Sequence, residues 1–181
     1  DVRFALGSCA YVNDSAYDRP GTPYGGGYEI FETIRRTQPD FMLWLGDNVY
    51  LREADWDSRS GILHRYSHTR ALPQLQGLLG ATRHYATWDD HDYGPNDHDR
   101  SYRNKHHTLE AFRLFWGNPE CGSAPPGCVA TYFEWNDAAF FLVDNRTFRQ
   151  HRRTTGRRTM LGAAQREWLI KIGRTSCRER G

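Results

Sequence analysis

Residues 40–50, DFMLWLGDNVY, decide how the fold is read. From Phe41 to Leu45 the chain is apolar without alternation, the pattern of a strand buried on both faces of a sheet. It opens directly into a turn carrying Gly46, Asp47, Asn48 and Tyr50. Working outward, the same grammar repeats. Residues 2–8 (VRFALGS) read as a strand that runs into the small-residue turn Gly7-Ser8-Cys9, and residues 84–88 (HYATW) as a third strand that runs into DDHDYGPND. Helical patterns lie between the strands. In residues 28–37, Ile30, Phe31 and Ile34 share one face and Pro39 stops the helix; residues 56–79 are broken at Gly61 and Pro73 into two helices. Further on, residues 101–116 are helical with Leu109, Phe112 and Phe115/Trp116 inward. Residues 129–135 and 138–143 form a hairpin across Asn136-Asp137, and residues 161–170 a short helix with Ala164 and Trp168 on one face. This order predicts an α/β domain, a layered βαβα sheet with an antiparallel hairpin added.

The bulk numbers exclude several classes. A chain of 181 residues with 38% hydrophobic and 25% charged residues has the make-up of one soluble globular domain. No apolar run approaches the roughly 18–20 residues that cross a bilayer. Asp1-Val2-Arg3 leads straight into the first strand rather than forming a signal peptide, so the sequence is read as starting inside a fold. A net charge of +2 is too small to argue for a nucleic-acid partner. Of the 24 basic residues only Lys105 and Lys171 are lysine. The arginine bias fits both a GC-rich coding sequence and a protein that grips phosphate through planar forks. Cys121 and Cys128 flank GSAPPG, which leaves open a local disulfide or two reduced thiols. Residues 172–181 (IGRTSCRERG) lack periodicity, so the domain is expected to end at 171, followed by a non-native or disordered tail.

The chemistry collects in the three loops after the three strands: Gly7-Ser8-Cys9, Gly46-Asp47-Asn48-Val49-Tyr50, and the stretch from Trp88 to Asp97. In open α/β sheets, sites form outside the carboxyl ends of the strands, so these loops should meet at one crevice. Asp89, Asp90, Asp92 and Asp97 would repel one another there unless a hard cation lay among them. Cys9 adds a thiolate and Tyr50 a phenol, whose ordinary pKa of about 10 demands a strongly acidic metal such as iron(III). Two metals about 3.5–4 Å apart could clamp a phosphate and activate water. Each piece alone has a plainer reading. Asp47 would be a turn or helix cap, DDHD a solvated acidic loop, Cys9 a buried small residue and His91 a surface histidine. The combination points to metal chemistry.

Five segments, in order, carry a resemblance: FALGSCAY (4–11), FMLWLGDNVYLREAD (41–55), ATWDDHDYGPND (86–97), FLVDNRTFR (141–149) and MLGAAQREWL (160–169). Together they resemble the alkaline phosphatase D (PhoD-like) family, a branch of the calcineurin-like metallophosphoesterases. The resemblance implies the calcineurin-like layered sheet and hydrolysis of a small phosphate ester, diester or monoester, by metal-activated water. It implies iron(III) and calcium, with other divalent metals as alternatives, and a secreted or extracytoplasmic location. Carried over by residue, it implies Cys9, Asp47, Tyr50 and Asp90 as metal ligands, with Asp47 suited to bridging. Asn96 and Asp97 would contribute further, and His91 would serve the leaving group as acid or oxygen donor.

Arg146, just after a strand, would bind substrate phosphate or form an internal ion pair with Asp144. The run Arg149, Arg152, Arg153, Arg157 and Arg158 would attract phosphorylated polymers or form a solvated loop. No aromatic interleaving supports nucleic-acid binding there. The family's late segment with Asp and His ligands has no counterpart after Trp168, nor has its N-terminal β domain. The chain is therefore expected to be the N-terminal part of the metallophosphoesterase domain, truncated at its C-terminus, with its second metal position short of ligands. The alternative is a non-catalytic metal-binding domain or inactive fragment.

Overall fold

In the computed structural model, which describes residues 1–119 and 124–178, the apolar run at 41–45 is the middle strand of a parallel sheet. Strand β1 (Phe4–Gly7) pairs with β2 (Phe41–Leu45), and β2 with β3 (Arg83–Thr87). Leu6 lies opposite Leu43 and Leu43 opposite Tyr85, so the three carboxyl ends emerge along one edge. Helix α1 (Glu29–Arg36) lies between the first two strands in sequence, and α2 (Arg59–Arg70) and α3 (Pro73–Ala81) between the second and third. A one-turn helix α4 (Asp90–Tyr93) follows β3, then α5 (Lys105–Phe115). The hairpin of β4 (Thr131–Trp135) and β5 (Ala138–Leu142) and helix α6 (Gly162–Arg178) complete the chain. The expected α/β order of elements is the observed one apart from α4, which stands where a loop was expected, and the hairpin forms a two-stranded sheet of its own. Cys121 lies outside the described residues, and with it the pairing of Cys121 and Cys128.

The two-sided burial of β2 follows its alternation. Met42 and Trp44 join the cluster of Phe31, Ile62, Leu75, Leu78 and Phe112 on the helical side. Phe41 and Leu43 join Tyr85, Phe133 and Leu142 on the hairpin side. There the rings interlock, with Tyr85 stacked on Phe133 at 3.6 Å and Phe41 meeting Phe140 edge-on at 5.1 Å. Each such side chain removed from water contributes roughly 1.5–3 kcal/mol, so the strand that carries the Asp47 turn is anchored from both faces.

Four local readings differ from expectation. Gly61 does not break the helical stretch. It lies in the first turn of α2, where its N–H donates to Ser58 Oγ (3.0 Å), and a Cβ there would come within 2.6 Å of the Asp55 carbonyl. Close approach, not helix termination, is why glycine stands there. On α1, Phe31 is buried while Ile30 is 58% exposed. On α6 the buried residues are Gln165 and Trp168, and Ala164 is exposed. That helix also runs on to Arg178, with Ile172 packed beside Trp168, Cys128 and Ala130.

The segment after β1 is held down by charge. Arg65 has no exposed side-chain surface and bridges Asp55 (2.8 Å) and Asp14 (3.1 Å). Arg52 grips Asp18 through Nε (3.1 Å) and a terminal nitrogen (2.8 Å), and the Tyr11 hydroxyl donates to the same carboxylate (2.6 Å). Burial alone would raise the Asp18 pKa, but the bonds from Arg52, Tyr11 and the Asp14 N–H bring it down to about 2. A depressed carboxylate stabilises the fold fully above its unfolded pKa of about 3.9 and loses that contribution as the pH falls. Acid denaturation followed by circular dichroism should therefore show roughly 2 kcal/mol lost between about pH 4 and pH 2. In Asp18→Asn that part of the pH dependence should vanish.

Candidate metal centre

The turn after β2 has an unusual backbone. Gly46 has φ of 103°, and Asp47 follows in the left-handed region at 51°. A Cβ on Gly46 would lie 2.7 Å from the Asp89 Cβ and 2.8 Å from its nitrogen, so only glycine lets the two strand-end turns come this close. The first loop is pinned onto the second by Cys9 N–H to the Gly46 carbonyl (3.1 Å) and Ala10 N–H to the Asp47 carbonyl (2.9 Å). Cys9 itself has φ of 58°. Left-handed backbone at two non-glycine residues costs energy, and the surrounding bonds must over-determine it.

The third loop is tied in by Asp92, which has no exposed surface. One of its oxygens accepts the N–H groups of Asn48 (2.9 Å) and Val49 (3.0 Å), and the other accepts Asp89 N–H (3.0 Å). The last bond is half of a capping box, in which the Asp89 side chain accepts the Asp92 N–H at the start of α4. Burial pushes the Asp92 carboxyl well up, the charge of Asp47 adds to this, and the three N–H donors oppose it. His91 completes the stitching. Its N–H donates to Asp47 (3.2 Å) and its carbonyl accepts Leu51 N–H (3.1 Å).

The result is a knot of carboxylates. Oxygens of Asp47, Asp89 and Asp90 all lie within 4.8 Å of one another. The Asp47 pKa is raised by burial and by the neighbouring charges of Asp90 and Asp89, against the His91 N–H. Around Asp47 stand Tyr50, whose hydroxyl donates at 3.4 Å, and Cys9, whose sulfur is 3.8 Å away. Burial raises the Tyr50 phenol far above its ordinary value, with Cys9 and Asp47 adding to the effect. Such a phenol stays protonated without a strongly acidic cation beside it. The His91 imidazole stacks on Tyr50 with centroids 4.5 Å apart.

Arg146 enters from the loop after β5. Its guanidinium ion-pairs with Asp89, reaches Asp90 (3.2 Å) and donates to the His98 carbonyl (3.3 Å). Asn145 donates to the same Asp89 oxygen (3.0 Å). The guanidinium does not pair with Asp144, the alternative open in the sequence. The fully buried Asp144 carboxylate instead accepts the backbone N–H groups of Arg146 (2.9 Å), Thr147 (2.9 Å) and Val129 (3.0 Å). Gln165 of α6 brackets Asp144 from below, accepting its N–H and donating to its carbonyl, both at 2.7 Å. Asn96 stands apart: it is exposed and its amide donates to Asp97 (3.3 Å), while it is the Asp97 N–H that reaches Asp90 (2.6 Å). Arg152, Arg153, Arg157 and Arg158 are exposed.

Cys9, Asp47, Tyr50, Asp90 and His91 are thus brought together, with Arg146 in contact. Asp89 and Asp92, read in the sequence only as members of the loop's mutually repelling carboxylates, orient and clamp instead, a division that only the Asp89-x-x-Asp92 capping spacing could have signalled. Asn145 and Gln165 take part without having been singled out. The donor set suits a hard cation, because three carboxylates crowd one spot with one arginine to offset them. Two further amide oxygens, of Asn48 and Asn145, are buried without a hydrogen-bond donor. Replacing Asp92 by Ala strands buried N–H groups, each worth about 1–3 kcal/mol. Urea denaturation should show a loss of roughly 3 kcal/mol or more, whereas Asp97→Asn, at an exposed left-handed position that Asn also tolerates, should change stability by less than about 0.5 kcal/mol.

Comparison with known proteins places this geometry. A family model described as PhoD-like phosphatase matches residues 4–178. No curated protein matches the chain. A solved structure titled "Structure of PhoD" superposes with a TM-score of 0.71 at 18% identity, over 94% of this chain and 38% of that one. The two share a fold, and this chain spans 38% of the solved structure's length. Matched by the family model over almost all its residues, the chain belongs to the PhoD-like phosphatase family.

Proposed function

We propose that this chain supplies the metal-binding half of a phosphoesterase site that hydrolyses a small phosphodiester or phosphomonoester. The observation that carries this reading is the convergence of three strand-end loops on Asp47, Asp89 and Asp90, with Cys9, Tyr50 and His91 alongside. Asp47 and Asp90 would hold the metal, with Cys9 and Tyr50 beside Asp47. Asp89 is better suited to orient than to ligate, since Asn145, Arg146 and the Asp92 N–H already claim its oxygens. A thiolate and a phenolate favour iron(III), and carboxylates favour calcium. When bound, such metals polarise a phosphoryl oxygen and lower the pKa of water. Asn96 would join the ligand set only by turning from Asp97.

The chain's own groups have separable tasks. His91, its ring stacked on Tyr50 and its backbone N–H bonded to Asp47, would give a proton to the leaving oxygen. Arg146 holds Asp89 and Asp90 and offers its charge to a phosphate oxygen. An extracytoplasmic location fits the family reading. Among the described residues, no helix is long and apolar enough to cross a membrane.

Metal analysis paired with hydrolysis of bis(p-nitrophenyl) phosphate and p-nitrophenyl phosphate tests the reading. Iron or calcium bound at this half-site is expected, with turnover of either ester where the second metal position is completed. In the hydrolytic protein, His91→Ala should lower turnover by about 100-fold or more while metal content stays near normal. Loss of metal in that variant would make His91 a ligand. Bound metal with no turnover of either ester would reduce the chain to a metal-binding domain.

A further inference from the structure

His91 and Tyr50 are one end of a path of rings leading away from the carboxylates. Tyr50 lies 5.0 Å from Tyr11, and Tyr11 meets Tyr24 edge-on at 5.3 Å. Tyr11 is also a wall of a cavity of about 360 Å3, which it shares with Tyr17, Arg52, Trp56, Asp18 and Glu53. That volume lies in the range of small-molecule sites, about 300–1,000 Å3. Three of its walls are flat aromatic rings, and Tyr11 and Arg52 are fixed in place.

Hydrogen bonds spend the polar edges of Tyr11 and Arg52, and these two groups cover a face of each other, so the face most open to a ligand is that of Tyr17. The Tyr11 hydroxyl is held by Asp18 (2.6 Å). Arg52 donates to Asp18, to the Tyr50 carbonyl (2.9 Å) and to the Val12 carbonyl (2.9 Å), so its guanidinium is locked with its carbon 4.8 Å from the Tyr11 ring centroid. With one face of the guanidinium taken by Tyr11, it can stack a further ring only on its other face. Tyr17 is 56% exposed, a large ring left in water at the cavity wall. An acyl chain would need aliphatic walls, and Ala54 is the lone aliphatic residue lining this cavity. Flat aromatic and guanidinium faces suit a planar ring, and the exposed Glu53 carboxylate suits the N–H edge of one.

We propose that this cavity binds a nucleobase, held as the leaving-group side of an ester whose phosphate lies at the carboxylate cluster. The leaving-group role rests on the phosphoesterase reading; the binding itself does not. Saturation-transfer NMR and calorimetric titration of the chain with adenosine, and with ribose as control, test it. Adenosine should bind with transfer to its base protons and ribose should not. Tyr17→Ala should weaken adenosine about tenfold and Tyr17→Phe by less than about twofold, as stacking on one aromatic face requires. No adenosine binding up to millimolar concentration, equal binding of ribose, or an unchanged affinity in Tyr17→Ala would overturn the assignment. Hydrolysis of the nitrophenyl esters without adenosine binding would refute this site and leave the phosphoesterase reading standing. Adenosine binding without hydrolysis of either ester would support the site and count against that reading.

Discussion

Asp92 joins the loops on which the site depends, and it does so from a position with no exposed surface. Its two oxygens gather the N–H groups of Asn48 and Val49 from one strand-end turn and of Asp89 from the other. A buried carboxylate is expensive unless its oxygens are satisfied, and satisfying them is what fixes the two turns in register. Gly46 makes the approach sterically possible, because any side chain there would strike Asp89. The parallel sheet brings the loops to one edge, and Asp92 with Gly46 turns that nearness into a site.

From this closeness the electrostatics follow. Asp47, Asp89 and Asp90 cannot sit together fully charged without compensation. Arg146 supplies one positive charge, positioned by an Asp144 that is itself bracketed by Gln165 of α6. The last helix therefore reaches the carboxylates through three successive links, Gln165 to Asp144, Asp144 to Arg146 and Arg146 to Asp89. One arginine leaves the cluster acidic, and that is the local condition a cation would answer.

Much of this was legible in the residues. The unalternating run at 41–45 reads as a doubly buried strand because both faces must be apolar, and the cores on either side of it bear this out. Strand-end loops full of ligand types could be expected to converge because parallel topology brings them to one edge. What could not be read was the division of labour within DDHD. Asp89, Asp90 and Asp92 are identical side chains, and only their burial and partners make one an orienting cap, one a candidate ligand and one a clamp. The partner of Arg146 was hidden for the same reason, since Asp144 adjoins it in sequence while Asp89 and Asp90 adjoin it in space. Gln165 carried no local signal at all.

The family match and the shared fold agree with a phosphatase lineage, and the carboxylate knot supplies the physical reason for the proposed metal chemistry. The most direct measurement is paramagnetic broadening of backbone amides by Mn2+ in NMR spectra of the chain. At substoichiometric Mn2+ the amides of Asn48, His91 and Asp97 should be lost first, and Asp90→Asn should abolish that preference. Broadening spread evenly over exposed carboxylates such as Asp57 and Glu110, with the three strand-end loops unaffected, would contradict a metal centre at this edge of the sheet.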